Sequence, residues 1–283
     1  MTSQPLQNKV IVITGASGGF GAALCSALYQ RGAKLALLDI DDTALALQLK
    51  NFPDPTRAKT WHANVCDVNS LRLAMDAAAD YFGAIDIVIA NAGIDLIEPL
   101  TATGEDSFEQ VIDINLNGVW RTFRAALPHV KASSGYLLAI SSMAAFVHSP
   151  LQASYTASKA GVWALCNSIR VELRQYGVDV GTLHPTFFKT PLLDNISNNA
   201  AGTSLWGAHK KFPFTAVSIE DVVNAAINAI ENRKEIVTVP RVNKMIAYAP
   251  GLFRKFVERI GFKENNVRQA VAFAEQARRH KDD

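Results

Sequence analysis

A chain of 283 residues with 49% hydrophobic and 19% charged side chains can bury a sizeable core, which excludes a disordered or fibrous protein. Its 28 lysines and arginines against 26 aspartates and glutamates leave a net charge of +2, too little for a general nucleic-acid binder. Cys25, Cys66 and Cys166 are odd in number and far apart, which argues against a disulfide framework or a thiolate zinc site.

The N-terminal Met1-Thr2-Ser3-Gln4-Pro5 lacks the basic stretch and apolar core of a secretory signal. No apolar run reaches the roughly 18 residues that span a bilayer, so the expected location is the cytoplasm. Short β-branched runs are predicted as strands at residues 10–14, 35–39, 60–64, 85–90, 136–141, 178–184 and 236–239. Helical periods lie between them at 21–30, 68–82, 107–130, 155–176 and 219–232. Gly32, Gly83 and Gly177 stand at helix ends, where a left-handed cap is wanted. This alternation predicts an α/β fold, a doubly wound, seven-stranded parallel sheet of Rossmann type. Residues 190–214 read as a long mobile connection, and the alternation stops after Pro240. The chain therefore divides into an α/β domain, 1–240, and a C-terminal helical extension, 241–283.

After the first strand comes Thr14-Gly15-Ala16-Ser17-Gly18-Gly19-Phe20-Gly21, opening into a helix. A glycine-rich turn lets the backbone approach a pyrophosphate, which then meets the free N–H groups and positive dipole end of that helix. Asp39 closes the second strand, where a carboxylate accepts hydrogen bonds from an adenosine ribose and repels a 2′-phosphate. NAD is thus favoured over NADP. Gly15, Ser17, Gly19, Phe20, Gly21 and Asp39 are the expected cofactor contacts here.

In Ser154-Tyr155-Thr156-Ala157-Ser158-Lys159, the four-residue step puts Tyr155 and Lys159 on one helix face. A nearby ammonium favours the phenolate, so Tyr155 is expected to titrate below the usual tyrosine value of about 10 and to take a proton from an alcohol. Ser142 follows the strand at 136–141, at the carboxyl end where such sheets place ligands, and Ser141 is its rival for holding a substrate oxygen.

These residues together resemble the short-chain dehydrogenase/reductase family over residues 8–240. Gly15, Gly19 and Gly21 resemble its cofactor turn, Asp67-Val68 the pair that borders the adenine, and Asn91-Ala92-Gly93 the motif that closes strand four. Asn115 matches the helix asparagine implied to hold a proton-relay water, and the step from Ser142 to Tyr155 selects Ser142 over Ser141. The resemblance implies that Tyr155 is the general acid/base, that Ser142 orients the substrate oxygen and that Lys159 holds the nicotinamide ribose. It also implies a homodimer or homotetramer. Pro185-Thr186 departs from the family's usual Pro-Gly, while Thr190 matches a threonine that follows and is expected to reach the carboxamide.

The expected function is NAD-dependent interconversion of a lipophilic secondary alcohol and its ketone, with Ser142, Phe146, His148, Leu192 and Trp206 as substrate contacts. The apolar Phe146, Val147, Leu192, Leu193 and Trp206 carry the lipophilic reading. His184 is expected to pack rather than to act as an acid or base, and no histidine has metal-ligand spacing, so no metal is expected. Two rivals are a non-catalytic dinucleotide-sensing protein, which needs no lysine-activated tyrosine, and a sugar-nucleotide epimerase or dehydratase, which has differently spaced glycines.

From 241 to 263 the basic residues Arg241, Lys244, Arg254, Lys255, Arg259 and Lys263 face the single acid Glu258. Leu252, Phe253, Phe256, Val257 and Ile260 form an apolar stripe beside them. The stripe is expected to cover the chain's own cleft or a neighbouring subunit, with an anionic membrane surface as the alternative.

Overall fold

The computed structural model describes residues 5–188, 200–206 and 215–282. Seven strands, β1 (Val10–Thr14), β2 (Lys34–Asp39), β3 (Ala58–His62), β4 (Ile87–Ala90), β5 (Tyr136–Ile140), β6 (Asp179–Pro185) and β7 (Ile236–Val239), form one sheet. Its order is β3-β2-β1-β4-β5-β6-β7, and every pairing is parallel. The seven predicted strands are all present, with ends shifted by a few residues.

Alternation along each strand sends side chains into two cores. Ile11, Ile13, Leu35, Leu37, Ile87 and Ile89 pack with α1 (Gly19–Gln30) and with Ile219–Glu231, the helix before β7. Val12, Ala36, Leu38, Val88 and Ala90 pack on the other face with α3 (Val68–Phe82), α5 (Gly118–Ala132) and α6 (Ala153–Leu173). Both faces are therefore covered, which is why these strands read as unbroken apolar runs. Each fully buried Ile, Leu or Val contributes on the order of 2 kcal/mol by leaving water.

The order reverses between β1 and β4, so their carboxyl ends open a crevice there. A short helix unforeseen in the sequence, α2 (Asp42–Leu49), follows β2, with Asp41 capping it by accepting from the Ala44 N–H at 2.9 Å. The helix expected over 107–130 is divided into α4 (Glu105–Ile112), a π-helical turn (Asp113–Asn117) and α5. The wider turn re-aims its side chains, and Asn115 inside it is fully buried.

Residues 200–206, expected within a mobile connection, form helix α7 (Ala200–Trp206). Its Ala201 and Leu205 are buried against Ala270 and Leu151, a tertiary contact that outweighs weak local propensity. The helix Ile219–Glu231, α8, carries a capping box between Ser218 and Asp221. Beyond β7 lie α9 (Lys244–Tyr248), α10 (Pro250–Gly261) and α11 (Glu264–Asp282). Ile246 and Ala247 of α9 and Val257 of α10 join Met143, Phe146 and Val147 in one cluster beside the crevice.

Candidate active site

A cavity of about 840 Å³ runs along the crevice from the glycine turn to Trp206. At one end Gly15 holds φ +65°, a left-handed backbone that other residues adopt only with strain. A Cβ on Gly21 would lie 2.1 Å from the Gly15 carbonyl oxygen, so the turn closes only with glycine there. Asn91 ties this turn to β4, its Nδ2 donating to the carbonyls of Thr14 at 3.1 Å and Gly15 at 2.9 Å. The Asp39 carboxylate is fixed beside the turn: Oδ2 accepts from the Ser17 N–H at 3.0 Å and hydroxyl at 2.6 Å, and Oδ1 from the Ile40 N–H at 2.8 Å.

Of the expected cofactor contacts, Gly15, Ser17, Gly19, Phe20, Gly21, Asp39, Asn91, Ala92, Gly93, Tyr155, Lys159 and Pro185 line this cavity. Asp67 and Val68 do not. Asp67 is the N-cap of α3, where one carboxylate oxygen accepts from the Asn69 N–H at 2.8 Å, and Val68 opens that helix partly in solvent. Asn64, Val65 and Cys66 line the cavity in their place, because the chain leaves β3 along the crevice before turning into the helix. Thr190 lies outside the described residues. Thr186 lines the cavity and is anchored by its N–H, which donates to the Val239 carbonyl at 2.8 Å.

At the other end Ser142 and Tyr155 both line the cavity, and the Ser142 hydroxyl, which accepts from the Ala144 N–H at 3.1 Å, faces the Tyr155 phenol closely enough to favour its anion. Ser141 is withdrawn from this role, since its buried hydroxyl donates to the Lys159 carbonyl at 3.1 Å. Asn115 receives the Ile94 N–H at 2.8 Å and donates to the Ile94 carbonyl at 2.8 Å and to Ser158 Oγ at 3.1 Å. It thereby pins the backbone at Ile94, next to Gly93, where a Cβ would lie 3.1 Å from Asn115 Oδ1 and 3.5 Å from Lys159 Nζ.

The electrostatics differ from the expectation for Tyr155. Burial pushes its phenol up, and the Asp95 carboxylate pushes it further, against the opposing hydrogen bond from Ser142. Lys159 does not reverse this: its Nζ lies 5.5 Å from the Tyr155 ring centre and donates to the Ile140 carbonyl at 3.0 Å. Burial also lowers Lys159 to about 8, with Asp95 opposing the fall.

Asp95 is a site residue that the sequence reading missed. Its carboxyl is raised to about 6 by burial, against hydrogen bonds from the Leu96 N–H and Gln152 and the charge of Lys159. Gln152 donates to it at 2.6 Å and accepts from the Ser149 hydroxyl at 2.5 Å, so three polar side chains form a chain along the cavity wall. The available signal was an acid two residues past Gly93 in an apolar stretch.

Among the expected substrate contacts, Ser142 and Trp206 line the cavity. Phe146 and His148 do not. Phe146 is buried behind it between Trp163 and His184, and His148 is exposed. The short 3-10 turn Met143–Ala145 rotates Met143, Ala144, Val147 and Ser149 toward the cavity instead. Leu192 lies outside the described residues.

His184 does pack: Nδ1 donates to the Ser142 carbonyl at 3.1 Å, and Nε2 meets the Thr182 hydroxyl at 2.8 Å. Burial lowers it to about 4. An unfolded histidine takes its proton near 6.5, so this group withdraws stability as pH falls from about 6.5 to 4, on the order of 3 kcal/mol in all. His184→Gln is expected to lack that loss. Thermal melts of both proteins across this range should converge as the pH drops, and parallel curves would contradict the buried neutral imidazole.

Residues 9–201 match the family model described as short chain dehydrogenase. The chain belongs to the short-chain dehydrogenases. The dehydrogenase is 36% identical over 206 residues to a (-)-trans-carveol dehydrogenase of Rhodococcus erythropolis, covering 67% of this chain and 74% of that one. It is 32% identical over 234 residues to an uncharacterized oxidoreductase of Staphylococcus saprophyticus, covering 82% and 94%. In fold it matches a short chain dehydrogenase/reductase of Burkholderia phymatum solved with NAD, at TM-score 0.77 and 24% identity over 88% of this chain and 96% of that one. As a member of this family the dehydrogenase is an oxidoreductase that binds a nicotinamide dinucleotide and acts on small molecules. No described helix is long and apolar enough to cross a membrane.

Proposed function

We propose that the enzyme interconverts a lipophilic secondary alcohol and its ketone with NAD. The observation that carries this reading is that Ser142, Tyr155 and Lys159 line one cavity whose nearby wall is apolar: Ile94, Met143, Val147, Phe187 and Trp206. The likeness to a carveol dehydrogenase supports the substrate class.

The glycine turn fits a pyrophosphate, because its backbone is left bare by residues where a Cβ would collide. Asp39 would receive the adenosine ribose hydroxyls, and Lys159 the nicotinamide ribose. When bound, the nicotinamide supplies or accepts the hydride. Ser142 orients the substrate oxygen, and Tyr155 takes its proton in oxidation or gives one in reduction. The apolar wall excludes water from that oxygen and strengthens both hydrogen bonds. Assaying NAD reduction against a panel of alcohols tests the reading: turnover of bulky apolar secondary alcohols is expected, and turnover confined to small polar or primary alcohols would refute it.

Asp95 sets the working pH in this scheme, since its negative charge opposes a Tyr155 phenolate. Asp95→Asn is expected to move the acid limb of the oxidation pH–rate profile to lower pH. An unmoved limb would show that the carboxylate does not act on Tyr155.

A further inference from the structure

The apolar stripe foreseen near the C-terminus divides in the fold. Phe253 and Val257 of α10 turn inward with Ile246 and Ala247 of α9, onto the cluster behind the cavity. The outward faces carry a second apolar set: Val242, Met245, Tyr248, Leu252, Phe256 and Ile260, between 46% and 78% exposed. Within α10, Leu252, Phe256 and Ile260 recur every four residues and so share one exposed helix face, while Phe253 and Val257 lie against the cluster. The exposed cations Lys244, Lys255, Arg259 and Lys263 interleave with them, and Lys244 lies over the Tyr248 ring at 5.3 Å. Glu258, the single acid between 241 and 263, is engaged by Arg254 at 3.6 Å.

We propose that this face of α9 and α10 docks the enzyme on an anionic lipid surface, with Leu252, Phe256 and Ile260 entering the headgroup boundary and Lys255, Arg259 and Lys263 meeting lipid phosphates and carboxylates. A helix lying in a membrane surface has this make-up, apolar residues flanked by long basic side chains whose stems lie along the interface. The inward packing of Phe253 and Val257 supplies what a free peptide lacks, since the face is held open to solvent by a folded support. Charge decides against a second copy of the chain as the occupant. A two-fold contact apposes the same patch on both subunits, and two patches that each carry Lys244, Arg254, Lys255, Arg259 and Lys263 against the single acid Glu258 repel, whereas an anionic bilayer offers both opposite charge and apolar depth.

The test needs no substrate and is independent of the proposed reaction. Full-length protein is sedimented with vesicles of phosphatidylcholine plus phosphatidylserine, and with phosphatidylcholine alone, at low and at physiological ionic strength. The expected result is binding to the serine-containing vesicles at least about tenfold stronger than to the neutral ones, weakening with salt as charges are screened. Lys255→Glu with Arg259→Glu, and separately Leu252→Ser with Phe256→Ser, should each lower that binding at least about tenfold while leaving the thermal melt in place, because all four side chains are outward or exposed. Absence of binding at low ionic strength would overturn the proposal, as would equal binding to neutral vesicles or insensitivity to both variants. So would a size-exclusion profile in which Leu252→Ser with Phe256→Ser splits an oligomer while vesicle binding persists, which would make this face a contact between subunits.

Discussion

Tyr155→Phe is expected to lower turnover by on the order of a thousandfold or more while leaving cofactor affinity within about tenfold, or about 1.4 kcal/mol. The substitution removes one hydroxyl and keeps the ring, so the α6 face and the cavity wall stay filled. What is lost, on the proposed reaction, is the acid/base at the substrate oxygen. Burial and Asp95 hold the wild-type phenol protonated, so the hydroxyl has to give up its proton inside a site that disfavours the anion. That makes alcohol oxidation the direction most sensitive to pH, and ketone reduction, in which the neutral phenol donates, the less sensitive one. Steady-state rates in both directions, with cofactor binding followed by fluorescence titration, check this. Turnover in the variant within tenfold of wild type would remove Tyr155 from the chemistry.

The second large effect concerns the cofactor. A preference for NAD over NADP of at least about a hundredfold in kcat/KM is expected, on the order of 3 kcal/mol. Asp39 is held by the N–H and hydroxyl of Ser17 and by the Ile40 N–H, so its charge is fixed beside the glycine turn and cannot swing away from a 2′-phosphate. Asp41 adds a second negative charge at the same end of the cavity, and Lys159, at the opposite end, is the sole lysine or arginine among its described lining residues. Asp39→Ala should raise kcat/KM with NADP and lower it with NAD. Equal use of both cofactors by the wild-type enzyme would show that Asp39 does not meet the ribose.

The short-range parts of this protein are legible in its sequence because they rest on local physical demands. Parallel strands buried on both faces must be apolar throughout, so β1, β4 and β6 stand out as runs such as Val10-Ile11-Val12-Ile13. A backbone that receives a phosphate needs glycines at set steps, and a tyrosine and lysine four apart share a helix face whatever surrounds them. Motif order then carries the family and the choice of Ser142 as the candidate serine, whose rival Ser141 is bonded to the backbone of α6 in the fold.

Tertiary packing decided everything that depends on which way a loop turns. Asp67-Val68 has the composition of an adenine-bordering pair, yet the chain enters α3 there, so the acid caps that helix just outside the cavity while Asn64 and Val65 line its wall. Phe146 and His148 sit in the right loop, but a 3-10 turn sends one behind the cavity and the other into solvent. The π turn that aims Asn115 leaves no mark in a helical period, since a single extra residue per turn is invisible against the scatter of apolar positions. Asp95 became a site residue only when Gln152, fifty-seven positions away, was folded against it and burial raised its carboxyl. The C-terminal stripe shows the same division: periodicity marked the residues as amphipathic, but only the support offered by Met143, Phe146 and Val147 determined that Phe253 and Val257 face inward and Leu252, Phe256 and Ile260 outward. Sequence specifies the chemistry that a residue can perform and the local geometry of its element; long-range packing sets its solvation and its neighbours, and these govern pKa, cavity access and exposed surface.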